Sequence, residues 1–144
     1  MELSCKSEYA LLALVELGLH HTSNEPMQIR QIAVQQNIPD RYLEQLLATL
    51  RRAGLVRSQR GARGGYLLAR LPWQITLYDV VRCIEGLDAQ GEPQDCPQTS
   101  EAVVITEVWQ EVRQAAESVL QKYTLQDLLD RRNAKQQVDI MYYI

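Results

Sequence analysis

Between Ser7 and His20 the chain is apolar on most sides, at Tyr9, Leu11, Leu12, Leu14, Val15, Leu17 and Leu19, which predicts a helix sunk in a core. Gly18 and the polar stretch from His20 to Pro26 end it in a loop. From Met27 to Gln36 apolar residues recur at Ile29, Ile32 and Ala33, giving a short amphipathic helix. A tight connection follows, in which Asn37 closes that helix, Pro39 cannot continue it and Asp40 caps the next. The next helix, 41–53, turns Tyr42, Leu43, Leu46, Leu47 and Leu50 to one side. Its other side carries Arg41, Glu44, Gln45, Ala48, Arg51 and Arg52. Gly54 stops it, and residues 55–59 and 66–69 then form two short strands around the tip RGARGG, a hairpin with a loop longer than two residues.

After Pro72 the helical period returns. Thr76 with Asp79 three residues on makes a capping box for a helix over 77–85, closed by Gly86. Residues 87–100, with two prolines and no periodicity, form a loop. The longest helix spans 102–123, with an apolar stripe that includes Val104, Val108, Trp109, Val112, Ala116 and Val119. So long a stripe has little left in a 144-residue chain to cover it, which predicts pairing with a second copy; packing back on its own domain is the alternative. Thr124 and Asp127 cap a short final helix, 125–132, and the chain ends in an apolar tail, 140–144.

The fold class expected is mainly α with a small β-hairpin wing: a winged helix-turn-helix with a long C-terminal dimerisation helix. Three regions follow, a winged helix-turn-helix at 1–72, a short helix and a loop at 73–100, to which the family resemblance given below assigns sensing, and the dimerisation helix, short helix and tail at 101–144. In winged helices the second helix of the motif enters the major groove and the wing lies on phosphates or in the minor groove.

Net charge first argues against that use, since the chain carries −3 and phosphate contacts require cations. The sum hides two unlike parts. Residues 1–72 hold nine Lys/Arg against six Asp/Glu, and residues 73–144 hold six against twelve. Between Arg51 and Arg70 there are six arginines and no acid. A solvated basic face is the plain alternative, but an arginine-tipped hairpin directly behind a helix-turn-helix favours DNA. The candidate contacts are Arg30, Arg41, Glu44, Gln45, Arg51, Arg52, Arg57, Arg60, Arg63 and Tyr66. A carboxylate at Glu44 suits DNA only if it accepts a hydrogen bond, for instance from cytosine N4; otherwise it pairs with a nearby arginine.

Other chemistries find little support. No paired carboxylates, nucleophile motif, phosphate loop or HExxH is present, and the glycines of RGARGG are not followed by a helix, so no enzyme is expected. Three cysteines, Cys5, Cys83 and Cys96, do not make a disulfide framework. The first residues lack the basic start and apolar core of a signal peptide, and no apolar run is long enough for a membrane span. A cytoplasmic protein is expected. His20 and His21 sit at a helix end, as a solvated cap.

The segments LSCKSEYALLALVEL, QIAVQQNIPDRYLEQLLATLRRAGLVRSQRGARGGYLLAR and ITLYDVVRCIEG resemble the Rrf-two family of bacterial winged-helix transcriptional regulators. Ala62-Arg63 stands where Pro-Gly is common in the family. The resemblance implies a homodimer whose long helix crosses its partner on a roughly two-fold symmetric operator in double-stranded DNA. It puts Arg41, Glu44 and Gln45 where relatives read base edges and Arg60 where the wing reaches the minor groove. Cluster-binding members carry three cysteines between the short and long helices, whereas this chain has Cys96 alone there. Some members use a carboxylate at the position of Glu8 as a ligand donated across the dimer. An iron-sulfur cluster involving Cys96 and Glu8, a bare redox- or alkylation-sensitive Cys96, and cluster-free control by a small molecule or partner protein all stay open.

Overall fold

The computed structural model describes residues 3–86 and 99–142. Helix α1, Cys5–Leu19, starts where the Ser4 hydroxyl accepts the Ser7 amide at 3.2 Å. It does not stop at Gly18, as the sequence suggests. Gly18 lies buried within the helix, where a Cβ would meet a Leu129 methyl at 3.0 Å, so the glycine admits the last helix rather than ending the first. A single 3₁₀ turn, His21–Ser23, follows.

Helix α2, Ile29–Gln36, begins two residues later than its periodicity indicates, because Met27 is used as a strand residue and pairs with Tyr66 through two backbone hydrogen bonds of 3.0 and 2.7 Å. Asn37, with φ at 54°, turns the chain out of α2. Helix α3, Asp40–Arg52, is capped by Pro39 and not by Asp40, whose side chain makes no capping bond. Proline's fixed φ fits that position, and Asp40 in the first turn faces the positive end of the helix dipole. Leu43, Leu46, Leu47 and Leu50 are buried as their spacing requires, but Tyr42 is 50% exposed and leans on Tyr9 of α1, ring centroids 6.5 Å apart.

Strands β1, Val56–Gln59, and β2, Gly65–Leu68, form the antiparallel hairpin, with Val56 opposite Leu68 and Ser58 opposite Tyr66. Gly65 is obligatory at its root, because a Cβ there would collide with the Met27 carbonyl. A 3₁₀ turn, Pro72–Gln74, leads to α4, Leu77–Glu85, where Thr76 and Asp79 exchange the two capping-box bonds at 3.1 Å each and Gly86 closes the helix at φ 66°. Helix α5, Ser100–Lys122, opens with Thr99 accepting the Ala102 amide at 3.1 Å. Helix α6 runs from Leu125 to Tyr142. What the sequence divides into a short helix and an apolar tail is thus one helix through Tyr142, since nothing between Arg132 and Ile140 breaks it: Ala134, Lys135, Gln136 and Gln137 all favour helix.

The core crosses the boundary at Pro72. Ala10, Ala13, Leu14 and Leu17 of α1 meet Ile32 of α2 and the four leucines of α3, and Ile75, Val80 and Leu125 complete the same cluster. Backbone bonds from Leu77 to Tyr123 (3.0 Å) and from Leu125 to Ile75 (2.8 Å) tie the start of α6 beside α4. Each buried leucine contributes roughly 1.5–3 kcal/mol. The winged part therefore leans on α4 and α6 for its stability.

Candidate nucleic-acid interface

Burying four leucines on one side of α3 leaves Arg41, Glu44, Gln45, Arg51 and Arg52 exposed on the others. The helix is coupled to the wing through its last turn, where Arg51 Nη1 donates to Ser58 Oγ of β1 at 3.3 Å. Arg52 Nη2 donates to Thr49 Oγ1 at 3.4 Å, and Thr49 in turn donates to the Gln45 carbonyl at 3.0 Å. Arg57, on the solvent side of β1, reaches Asn24 Oδ1 at 3.5 Å. Ser58, Thr49 and Asn24 were not legible as part of this surface, since only the fold sets a strand serine against a helix arginine or a loop asparagine against the wing.

Arg60 and Arg63 stand exposed at the tip, held by a turn in which the Gly64 amide bonds the Gly61 carbonyl at 2.9 Å and Gly61 takes φ 114°. Among the described residues none of the arginines from Arg51 to Arg70 is in an ion pair with a carboxylate. Among the described residues Glu44 is in no ion pair either, so pairing with a neighbouring arginine is not seen there.

Tyr66 and Arg30 lie off helix α3. Tyr66 is half-buried, and its backbone is occupied by Met27. Arg30 sits exposed at the start of α2 and lines a groove with Glu16 and Arg132. The stripe on α5 is open: no residue of that helix is buried, Trp109 is 55% and Ile105 68% exposed, and Val104, Val108, Val112 and Val119 are exposed too.

Cys96 lies outside the described residues, and Glu8 is exposed on α1. Among the described residues no group of three or more His, Cys, Asp or Glu could hold a metal ion. Burial pushes the Cys83 thiol up, partly offset by the Arg52 charge, and Sγ lies 3.7 Å from the Thr49 carbonyl; it is a packed thiol rather than a reactive one. His21 Nδ1 meets the Gly18 carbonyl at 2.7 Å, which accounts for it as a helix-end contact. No described helix is long and apolar enough to cross a membrane.

Residues 3–131 match the family model described as "Rrf2: Iron-dependent Transcriptional regulator". The chain is 38% identical over 144 residues to the HTH-type transcriptional regulator CymR of Bacillus subtilis, covering 100% of both proteins. Among solved structures it is similar to T. potens IscR (TM-score 0.77, 36% identity, 94% of this chain and 91% of that one). It is similar also to CymR, the global cysteine regulator of B. subtilis (TM-score 0.75, 37% identity, 91% and 98%). Members of this family are transcriptional regulators and not enzymes. The chain belongs to the Rrf2 family of DNA-binding helix-turn-helix transcriptional regulators.

Proposed function

We propose that the protein acts as a homodimer on a roughly two-fold symmetric operator, with α3 in the major groove and the arginine wing on the minor groove and backbone. The observation that carries this reading is the α3 and wing surface itself, a run of arginines without carboxylate partners, joined by the bond from Arg51 to Ser58. In it Arg41, Glu44 and Gln45 read base edges, with Glu44 accepting from a base amine, and Arg51, Arg52, Arg57, Arg60 and Arg63 hold phosphates or the minor groove. The open stripe of α5 supports pairing of two copies through Val104, Val108, Trp109, Val112, Ala116 and Val119. The acidic surplus after Pro72 orients the molecule, since phosphate repels that half and draws the winged half in.

Footprinting on DNA fragments enriched from a random pool tests it. A protected, two-fold symmetric site whose affinity falls with salt is the expected result, and absence of any protected site at moderate salt overturns it.

A further inference from the structure

A groove of about 690 Å³ runs between the end of α1, the outer side of α2 and the middle of α6. Its lining is chemically divided. Glu16 of α1 supplies a carboxylate, Arg30 of α2 and Arg132 of α6 supply guanidinium groups, and Leu19, Met27 and Val34 supply apolar surface.

Glu16 is the unusual member. It is only 5% exposed, and buried carboxylates are normally paired with a cation. Oε1 accepts a hydrogen bond from Gln36 Nε2 at 2.8 Å. Among the described residues Oε2 has only His20 Nε2, 3.6 Å away, which is beyond hydrogen-bond distance and cationic only when protonated. An ionised carboxylate accepts up to about four hydrogen bonds, so acceptor capacity remains unused beside the groove. The arginines are similarly unspent. Arg30 has no side-chain bond among the described residues, and Arg132 has one long contact, 3.4 Å to Asn133 Oδ1.

We propose that this groove binds a free α-amino acid with an apolar side chain, its ammonium on Glu16, its carboxylate on Arg30 and Arg132, and its side chain against Leu19, Met27 and Val34. A simple anion would satisfy the arginines but face the Glu16 carboxylate. A simple amine would satisfy Glu16 but meet two cations. A zwitterion answers both, and the volume lies in the ordinary range for small-ligand sites. An effector role, in which the ligand fastens the first helix of the helix-turn-helix to α6, rests on the DNA-binding reading; ligand binding itself does not.

Calorimetric titration of the full-length protein, without DNA, tests the site. L-leucine and L-methionine are the ligands; leucinamide, which lacks the carboxylate, and 4-methylpentanoate, which lacks the ammonium, are the controls. Saturable heat in the millimolar range or below is expected for the amino acids alone. Glu16→Gln and Arg132→Gln should each weaken binding about tenfold or more, with circular dichroism confirming the fold. Arg132→Gln carries the test if Glu16→Gln does not fold. Absence of saturable heat, equal binding of the two controls, or binding unchanged in the folded variants overturns the inference. Amino-acid binding without a footprint would instead overturn the DNA reading and leave this site standing.

Discussion

Helices α3 and α5 leave opposite kinds of side chain in water. Helix α3 buries Leu43, Leu46, Leu47 and Leu50 and exposes charge; α5 buries nothing and exposes valine, isoleucine and tryptophan along 23 residues. The two surfaces differ in what they require. Hydrated arginines cost a lone protomer little, so the α3 face can wait for phosphate. An uncovered apolar stripe forgoes about 25 cal/mol for each Å² left wet, so the α5 face calls for a second apolar surface whether or not DNA is present. The α3 face is complete within the chain, and the α5 stripe is the surface on which the proposed pairing of two copies rests.

The sharpest way to break that contrast is to truncate one apolar residue in each helix. Leu47→Ala removes a fully buried side chain and should lower stability by about 2–5 kcal/mol in urea denaturation, independent of protein concentration. Val108→Ala, at an exposed site, should change a dilute protomer by no more than about 0.5 kcal/mol, with a larger loss appearing as concentration rises. Equal, concentration-independent losses would mean that α5 is covered within its own chain.

On the charged side, Arg60→Ala and Arg63→Ala should each weaken operator binding at every sequence tested and reduce the salt slope by about one. Glu44→Ala and Gln45→Ala should instead alter base preference, each costing about 1–3 kcal/mol at one position. Anisotropy titrations at several salt concentrations separate the two classes, and a uniform effect for all four variants would deny α3 a role in base reading. Next in size, Val108→Glu puts a charge into the open stripe and should raise the dimer dissociation constant about tenfold in sedimentation equilibrium. An unchanged dimer would place the association surface elsewhere.

These contrasts were legible in the sequence to different depths. The leucine spacing of α3, the caps at Thr76 and Thr124 and the glycine-rich turn are local, and a few neighbouring residues specify each. The errors at Met27, Gly18 and Tyr42 share one cause, a partner distant in sequence. Met27 is drawn out of its helix by Tyr66, Gly18 makes room for Leu129 of α6, and Tyr42 leans on Tyr9 instead of entering the core. The basic face was legible as composition, but its organisation was not, because the bond from Arg51 to Ser58 joins a helix to a strand. The boundary at Pro72 separates charge and does not separate the core, which Ile75, Val80 and Leu125 extend.

The smallest expected effect lies where the two halves join. Glu85, the last residue of α4, accepts hydrogen bonds from the Ser4 hydroxyl and, at 2.9 Å, from the Ser7 hydroxyl at the start of α1. Those two donors, more than the nearby Lys6 charge, hold its carboxyl below the ordinary glutamate range. A carboxyl that is more acidic folded than unfolded contributes stability above the unfolded value and loses it as pH falls through the folded one. The gap between the urea midpoints of the native protein and Glu85→Ala should therefore be present at neutral pH and close as the solution is acidified below the glutamate range. Because Glu85 is exposed, the gap should be small at its widest. A gap of constant size at every pH would mean that the serines hold Glu85 equally well without its charge, and that the join between α1 and α4 is neutral hydrogen bonding alone.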